Sequence, residues 1–431
     1  MTKIFAIADL TLRTLIRSRV FLLLVFLVPL TILGLPTLLK SDGTLAGLVQ
    51  LYLRYAFSSA IWLLSIASLL SGAAAFALDI ENSRIYMTTT KPVRALQLWV
   101  GKWLGLMVMN ALLLCLSGVL LFSMLHWIAH STISSTEEQH ALTTKIMVAR
   151  KQIYPESAPQ SNNRETKETS SLTIPPGGFH EWNFYLPPHL QSGDNAIVQY
   201  QFATSRPVNQ SPVTGLWLVR SEGMPYYSRI KKLSLPNVLQ QFELPENVLA
   251  SGKKLTLAYV NVGSEKPVTI LFSHPIPVSL LIHAGGIEIN IMRALLLIFC
   301  RLSFFSSLGL TIGALFSFPV AVFVSLAFMI ITGFNTFIGQ VTEIGLAGRP
   351  GALVQNIPLA WEKIVRGMCF ILYFLVPPLS HLDPLRLLSS GLLVSWQLVG
   401  EGFFILICVY SVLLALIGSF IFSRRELGLS G

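Results

Sequence analysis

Blocks of apolar sequence too long for any strand or ordinary core helix recur along this chain. Six are readable as membrane spans, at residues 20–39, 57–78, 103–126, 293–316, 319–337 and 401–423. The hydrocarbon core of a bilayer takes about 20 apolar residues of helix to cross. Lipid offers the backbone no hydrogen-bond partners, so such blocks must fold as helices. Composition agrees: 53% of the residues are hydrophobic and 12% charged, where soluble domains carry about 25% charge. A wholly soluble protein is excluded, and so are disordered, collagenous and coiled-coil readings.

The net charge of +10 then reads as cytoplasmic loop charge rather than nucleic-acid binding. Lys3, Arg13, Arg17 and Arg19 precede the first span. Arg84, Lys91, Arg94 and Lys102 lie between the second and third. Arg424 and Arg425 follow the last. An even number of spans puts all three clusters on the cytoplasmic side. A seventh apolar piece, Ile364 to Pro378, is short and is stopped by Val376-Pro377-Pro378. It reads as a re-entrant segment within 361–378. An eight-span layout with 387–400 as the return is the alternative.

Residues 1–19 pattern as a basic amphipathic helix, with Asp9, Arg13 and Arg17 on one face and Ile4, Ala8, Leu12 and Leu15 opposite. Such a helix lies in the headgroup plane. A cleaved signal peptide is the competing reading, but no small-residue cleavage site closes the run from Val20 to Leu39.

Between the third and fourth spans the composition changes. Residues 127–177 read as a linker, with the low-complexity stretch Pro155 to Gly178 too polar to fold alone. Residues 178–288 read as a domain of many short strands. Trp182, Phe184 and Leu186 alternate. So do Ala196, Val198, Tyr200 and Phe202; Val238, Gln240, Phe242 and Leu244; Leu255, Leu257 and Tyr259; and Val268, Ile270 and Phe272. This spacing predicts an antiparallel β-sandwich of jelly-roll or immunoglobulin type. By parity it lies outside the cytoplasm. The fold class is therefore an α-helical polytopic membrane protein of about six spans, with 1–126 and 289–431 flanking an inserted extracytoplasmic β domain. All four cysteines (Cys115, Cys300, Cys369, Cys408) stand in apolar stretches and none in this domain. A disulfide-free outside domain points to a bacterial plasma membrane.

Signs of chemistry are few. Gly101-Lys102-Trp103 and Gly252-Lys253-Lys254 are the nearest approaches to a phosphate-binding loop. Both lack its first glycine and its hydroxyl, so the chain binds no ATP by that route. Zinc-hydrolase, nucleophile-elbow and paired-cysteine motifs are absent. His126 and His130 have a metal-compatible spacing without an obvious third ligand, so two interfacial histidines at a helix end is the simpler reading. Trp182, Trp217, Tyr226 and Tyr227 can stack on sugars or fill a core. Arg301 is the basic residue well inside an apolar span, either a snorkelling side chain or part of a translocation path. Glu401 is a possible interfacial partner for a cation. Ser303, Ser306, Ser307, Gly309 and Gly313 would let another helix pack closely on the fourth span.

The most informative stretch runs from Ala77 to Gly105. Its acidic start leads through Arg84 and Thr88-Thr89-Thr90 to Lys91-Pro92, where proline suits the first turn of a second short helix. This is an elbow of residues 79–102 on the inner face, with charged and hydroxyl groups available for docking. A merely solvated loop is the alternative.

These residues resemble the permease subunits of ABC-2 type exporters. The likeness rests on Leu12-Arg13-Thr14-Leu15-Ile16-Arg17-Ser18-Arg19, on the elbow, on Gly313-Ala-Leu-Phe-Ser-Phe-Pro-Val-Ala321 between spans four and five, and on the ending Phe422-Ser423-Arg424-Arg425-Glu426-Leu427. Together they cover the six-span body. The resemblance implies the membrane half of an ATP-driven transporter and no enzymatic activity of its own. A cytoplasmic ATPase subunit would bind ATP and magnesium, and a second permease subunit, the same or different, would pair with this one. It also implies a coupling role for Asp79, Glu81, Arg84, Lys91, Pro92 and Arg94. The β domain departs from relatives that have only a short loop there, and leaves the substrate open. Two other classes compete: a membrane-anchored sensor whose β domain binds sugar or peptide, and an intramembrane transferase, for which no D-x-D pair is present.

Overall fold

The computed structural model describes residues 2–38, 45–82, 94–131, 148–156, 172–187, 196–205, 212–222, 224, 226–245, 254–262, 268–272, 278–333, 367, 377, 379 and 381–424. The chain divides into two compact units. One joins Met1–Met147 to Ile287–Gly431, and the other is Val148–Gly286.

The first unit is helical. In chain order its helices are α1 (Thr2–Ile16), α2 (Arg19–Leu38), α3 (Leu45–Glu81), α4 (Ala95–Ser131), α5 (Ile287–Leu315), α6 (Phe318–Gly333), α7 (Pro384–Ser389), α8 (Trp396–Gly402) and α9 (Val412–Arg424). A π-helical stretch, Phe403–Ser411, joins α8 to α9. Among the described residues four segments are long and apolar enough to cross a membrane, Leu51–Glu81, Ala95–Ile128, Ile287–Leu315 and Trp396–Arg424, or five if the bent α1–α2 pair is one span. The other two expected spans fall on α2, which follows α1 across a bend of 64°, and on α6, with 16 residues. No return helix occupies 387–400, because the chain there forms the end of α7, an irregular stretch and the start of α8. The expected re-entrant segment, 361–378, lies outside the described residues except for Gly367 and Pro377.

Small residues set the closest helix contact. Gly309 and Gly313 of α5 face the backbone of α3 at Leu69 and Ala73, and a Cβ at either would collide with a carbonyl oxygen there. Gly72 answers from α3: a Cβ on it would stand 2.7 Å from the Ser306 carbonyl oxygen of α5. Helices inside a bilayer gain little from hydrophobicity, so backbone approach through small residues supplies the contact energy. Helix α1 uses the same device on α4. Its buried stripe (Ile7, Thr11, Leu15) meets Gly101 and Gly105, while Asp9 and Arg13 form an exposed ion pair on the opposite side at 2.9 Å.

Among the described residues the second unit holds three antiparallel sheets. Its strands are β1 (Val148–Ile153), β2 (Leu172–Ile174), β3 (Phe179–Tyr185), β4 (Ile197–Tyr200), β5 (Ala203–Thr204), β6 (Val213–Ser221), β7 (Ser228–Ser234), β8 (Gln240–Glu243), β9 (Lys254–Asn261), β10 (Ile270–Phe272) and β11 (Val278–Gly286). Two four-stranded sheets run β1-β11-β4-β8 and β3-β9-β6-β7, and a three-stranded sheet runs β2-β10-β5. Inward side chains of all three share one apolar core, centred on Trp182, Phe184, Tyr200, Trp217, Tyr259 and Phe272. Strands β1 and β2 stand within the stretch read as linker. Their hydrogen bonds to β11 and β10 make them part of this unit, which begins at Val148 and not at 178.

Candidate functional site

The ends of α3 and α4 at residues 82 and 94 carry Asp79, Glu81 and Arg94, three of the residues that the sequence singled out. Lys102 of α4 is buried, and its ammonium donates to the Asp79 carboxylate and to the Ala75 carbonyl of α3. It also sits 5.1 Å from the centre of the Phe76 ring. Two bonds and one ring thus compensate a charge that hydrocarbon would otherwise expel. Two residues on, Glu81 reaches a different helix: its Oε1 accepts from the Phe318 backbone N–H at 2.8 Å. That amide is at the first residue of α6, where the helix dipole favours a carboxylate. Arg94 stands just before α4, its side chain exposed and its backbone N–H donating to Gln97 Oε1 at 3.3 Å. Arg84, Lys91 and Pro92 lie outside the described residues.

Other chain ends meet here. The Phe76 and Phe422 rings stand 5.6 Å apart, which brings the end of α9 to the end of α3. Gly418 of α9 leaves room for the Trp99 indole of α4. The three basic groups seen in the sequence are therefore represented at one end of the helical unit, by α1, by Arg94 with Lys102, and by Arg424. Mechanically this end is a bracket. Residues 82 and 94 leave helices that are clamped to each other by an ion pair and to α6 by a helix cap.

A polar junction lies deeper in the unit. Asn110 of α4 donates through Nδ2 to Ser68 of α3 and Ser306 of α5, each at 2.9 Å, and the two serine hydroxyls are 2.6 Å apart. Ser68 also donates to the Leu302 carbonyl at 3.0 Å. The Thr311 hydroxyl bonds the Leu414 carbonyl at 3.0 Å, and Ser303 meets Ser411 at 3.4 Å, tying α5 to the last span. At the other end of α5, Asn290 accepts from the Val394 N–H at 2.7 Å and donates to the Leu392 carbonyl at 2.9 Å. Arg301 is half-buried near the middle of α5. Its guanidinium lies 5.7 Å from the Phe305 ring, in the field of Asp383, and its Nε has no hydrogen-bond partner among the described residues.

The remaining candidates separate. Trp182 and Trp217 are core residues, whereas Tyr226 is 82% exposed and the Tyr227 ring lies 4.9 Å from the Arg220 guanidinium. His126 packs on Phe122, and the His130 side chain lies outside the described residues. Among the described residues no group of three metal-ligating side chains occurs. Glu401 accepts from Gln397 at 3.1 Å within its own helix. In the β unit, burial holds the His180 imidazole below the ordinary histidine value, with neighbouring Glu181 pulling the other way. Lys102 is the site residue that sequence reasoning missed. It groups with the loop charges in the sequence, although its place between Trp99 and Trp103 at the head of an apolar run marks a charge that has to enter the helix packing. The chain matches no protein-family model, no curated protein and no solved structure.

Proposed function

We propose that this chain is the transmembrane permease subunit of an ABC-2 type exporter, driven by ATP that a separate cytoplasmic subunit binds and hydrolyses. The observation that carries this reading is the bracket around residues 82–94. A partner pressing on that segment acts at once on α3 and α4 through Asp79 and Lys102, and on α6 through Glu81. Packed helices move as rigid bodies, so the load passes along α3 to its glycine contact with α5. A protein without a nucleotide site can be driven in this way if its partner's ATP-bound and ATP-free states hold that surface differently.

In this reading α2 and α6 complete six spans. The basic end faces the cytoplasm, where positive charge collects, and the β unit is extracytoplasmic in a bacterial plasma membrane. A second permease subunit pairs with this one, ATP and magnesium sit in the ATPase partner, and Arg301 stands beside the translocation path. Arg84, Lys91, Pro92 and Arg94 form the docking surface, whereas Asp79 and Glu81 hold that surface to the helices.

The test is affinity purification of the full chain from its native membrane. A nucleotide-binding ATPase should co-purify with the wild type and be lost from the Arg84→Glu/Arg94→Glu variant, with the variant still folded by gel filtration. Retention of the same ATPase by the variant overturns the docking assignment, and absence of any ATPase from the wild type overturns the function.

A further inference from the structure

Between the start of α4 and the end of α9 runs an open, mostly apolar groove of about 610 Å³ lined by Ala95, Leu96, Leu416, Ile417, Ser419, Phe420 and Ser423. Four of those side chains are large and exposed: Leu96 43%, Leu416 58%, Ile417 41% and Phe420 56%. Two cations flank the lining residues in sequence, Arg94 before Ala95 and Arg424 after Ser423. Arg94 immediately precedes α4, and Arg424 closes α9 with its guanidinium 4.4 Å from the Phe420 ring. Both are exposed, and neither is in an ion pair among the described residues.

We infer that this groove holds an acyl chain of an anionic phospholipid, whose phosphate meets Arg94 and Arg424. The chemistry fits in two parts. The apolar wall matches a hydrocarbon chain, and basic pockets between membrane helices bind anionic headgroups. The stacked Arg424 is held ready at the headgroup level, because its guanidinium already rests on the groove's own aromatic wall. A second copy of the chain is the less favoured occupant: a two-fold interface centred on the groove would bring like arginines towards each other with no acid paired to them among the described residues. The inference rests on the helices lying in a bilayer; it shares Arg94 with the proposed docking surface, so lipid retention by the purified chain is read apart from ATPase co-purification.

Delipidated full chain in neutral detergent tests it, with dioleoyl-phosphatidylglycerol and dioleoyl-phosphatidylcholine added in turn. Native mass spectrometry should show retained phosphatidylglycerol, and the melting midpoint should rise more with that lipid than with phosphatidylcholine. Arg94→Gln/Arg424→Gln should weaken phosphatidylglycerol binding about thirty-fold, two headgroup contacts' worth, and abolish the preference, while Arg94→Lys/Arg424→Lys keeps it. Equal response to both lipids in the wild type, or an unchanged preference in the glutamine variant, overturns the inference. Should the glutamine variant fail to fold, the wild type decides. A phosphatidylglycerol carrying a photoreactive acyl chain should label residues 95–96 and 416–423. Labelling elsewhere alone, or a dimer in native mass spectrometry whose groove residues stay unlabelled, overturns it.

Discussion

Replacing Asp79 with alanine strips the buried ammonium of Lys102 of its carboxylate partner and leaves it the Ala75 carbonyl and the Phe76 ring. The two halves of this pair are unequally exposed: the Lys102 side chain is 7% accessible and that of Asp79 30%. Losing the acid therefore leaves a cation that cannot hydrate, a situation that costs about 3–5 kcal/mol. Losing the base by Lys102→Met leaves a carboxylate that can still reach water and puts an apolar chain in the helix contact, so the cost falls to about 1 kcal/mol. The double variant removes both charges and should lie within about 2 kcal/mol of the wild type, against about 4–6 kcal/mol if the two effects merely added. Equilibrium unfolding of the full chain in mixed micelles, followed by helical circular dichroism, reads these differences. An Asp79→Ala variant no less stable than Lys102→Met, or a double variant as weak as the sum, refutes the clamp.

Three further outcomes follow from other parts of the structure. Gly309→Leu should destabilise the helical unit by at least about 1–3 kcal/mol, since even a Cβ meets the Leu69 carbonyl; Gly400→Ala, with nothing within 4 Å, should be nearly neutral, and fluorescence-detected gel filtration after heating distinguishes them. Asn110→Leu should cost about 1 kcal/mol for each bond lost to Ser68 and Ser306, read as a lower melting midpoint that Ser68→Ala does not worsen in proportion. In the β unit, folding depresses the His180 pKa, so the unfolded chain binds more protons between the folded value and the ordinary histidine range. Stability should therefore fall as pH drops through that range and level off below the folded value. His180→Gln should flatten the dependence in tryptophan-monitored unfolding from pH 7 to pH 5.

The helices were legible because a block such as Leu104 to Leu125 has no other fold open to it in lipid. Gly309 and Gly313 were legible as small residues, but their partner was not, since nothing local to Leu69 or Ala73 announces a glycine from the far side of the β unit. Asp79 and Lys102 are 23 residues apart, and only the hairpin brings them together. In the β unit, alternation located β4 and β9, where Val198, Tyr200, Leu255, Leu257 and Tyr259 point into the core. It failed for β11, the strand between β1 and β4, whose first five residues are all buried and so show no alternation. It failed also for β1, whose Arg150, Lys151 and Gln152 look like loop residues until β11 pairs with them. The expected position of Val238 was wrong for a related reason: it sits in the β7–β8 turn, 48% exposed, and the strand begins at Gln240.

The measurement closest to the central claim is ATP turnover in proteoliposomes. The purified chain alone should hydrolyse no ATP, and hydrolysis should appear when the ATPase that co-purifies with it is added and should fall when Arg84 and Arg94 are reversed to glutamate. Turnover by the chain alone, or turnover of the mixture indifferent to that reversal, would contradict the account.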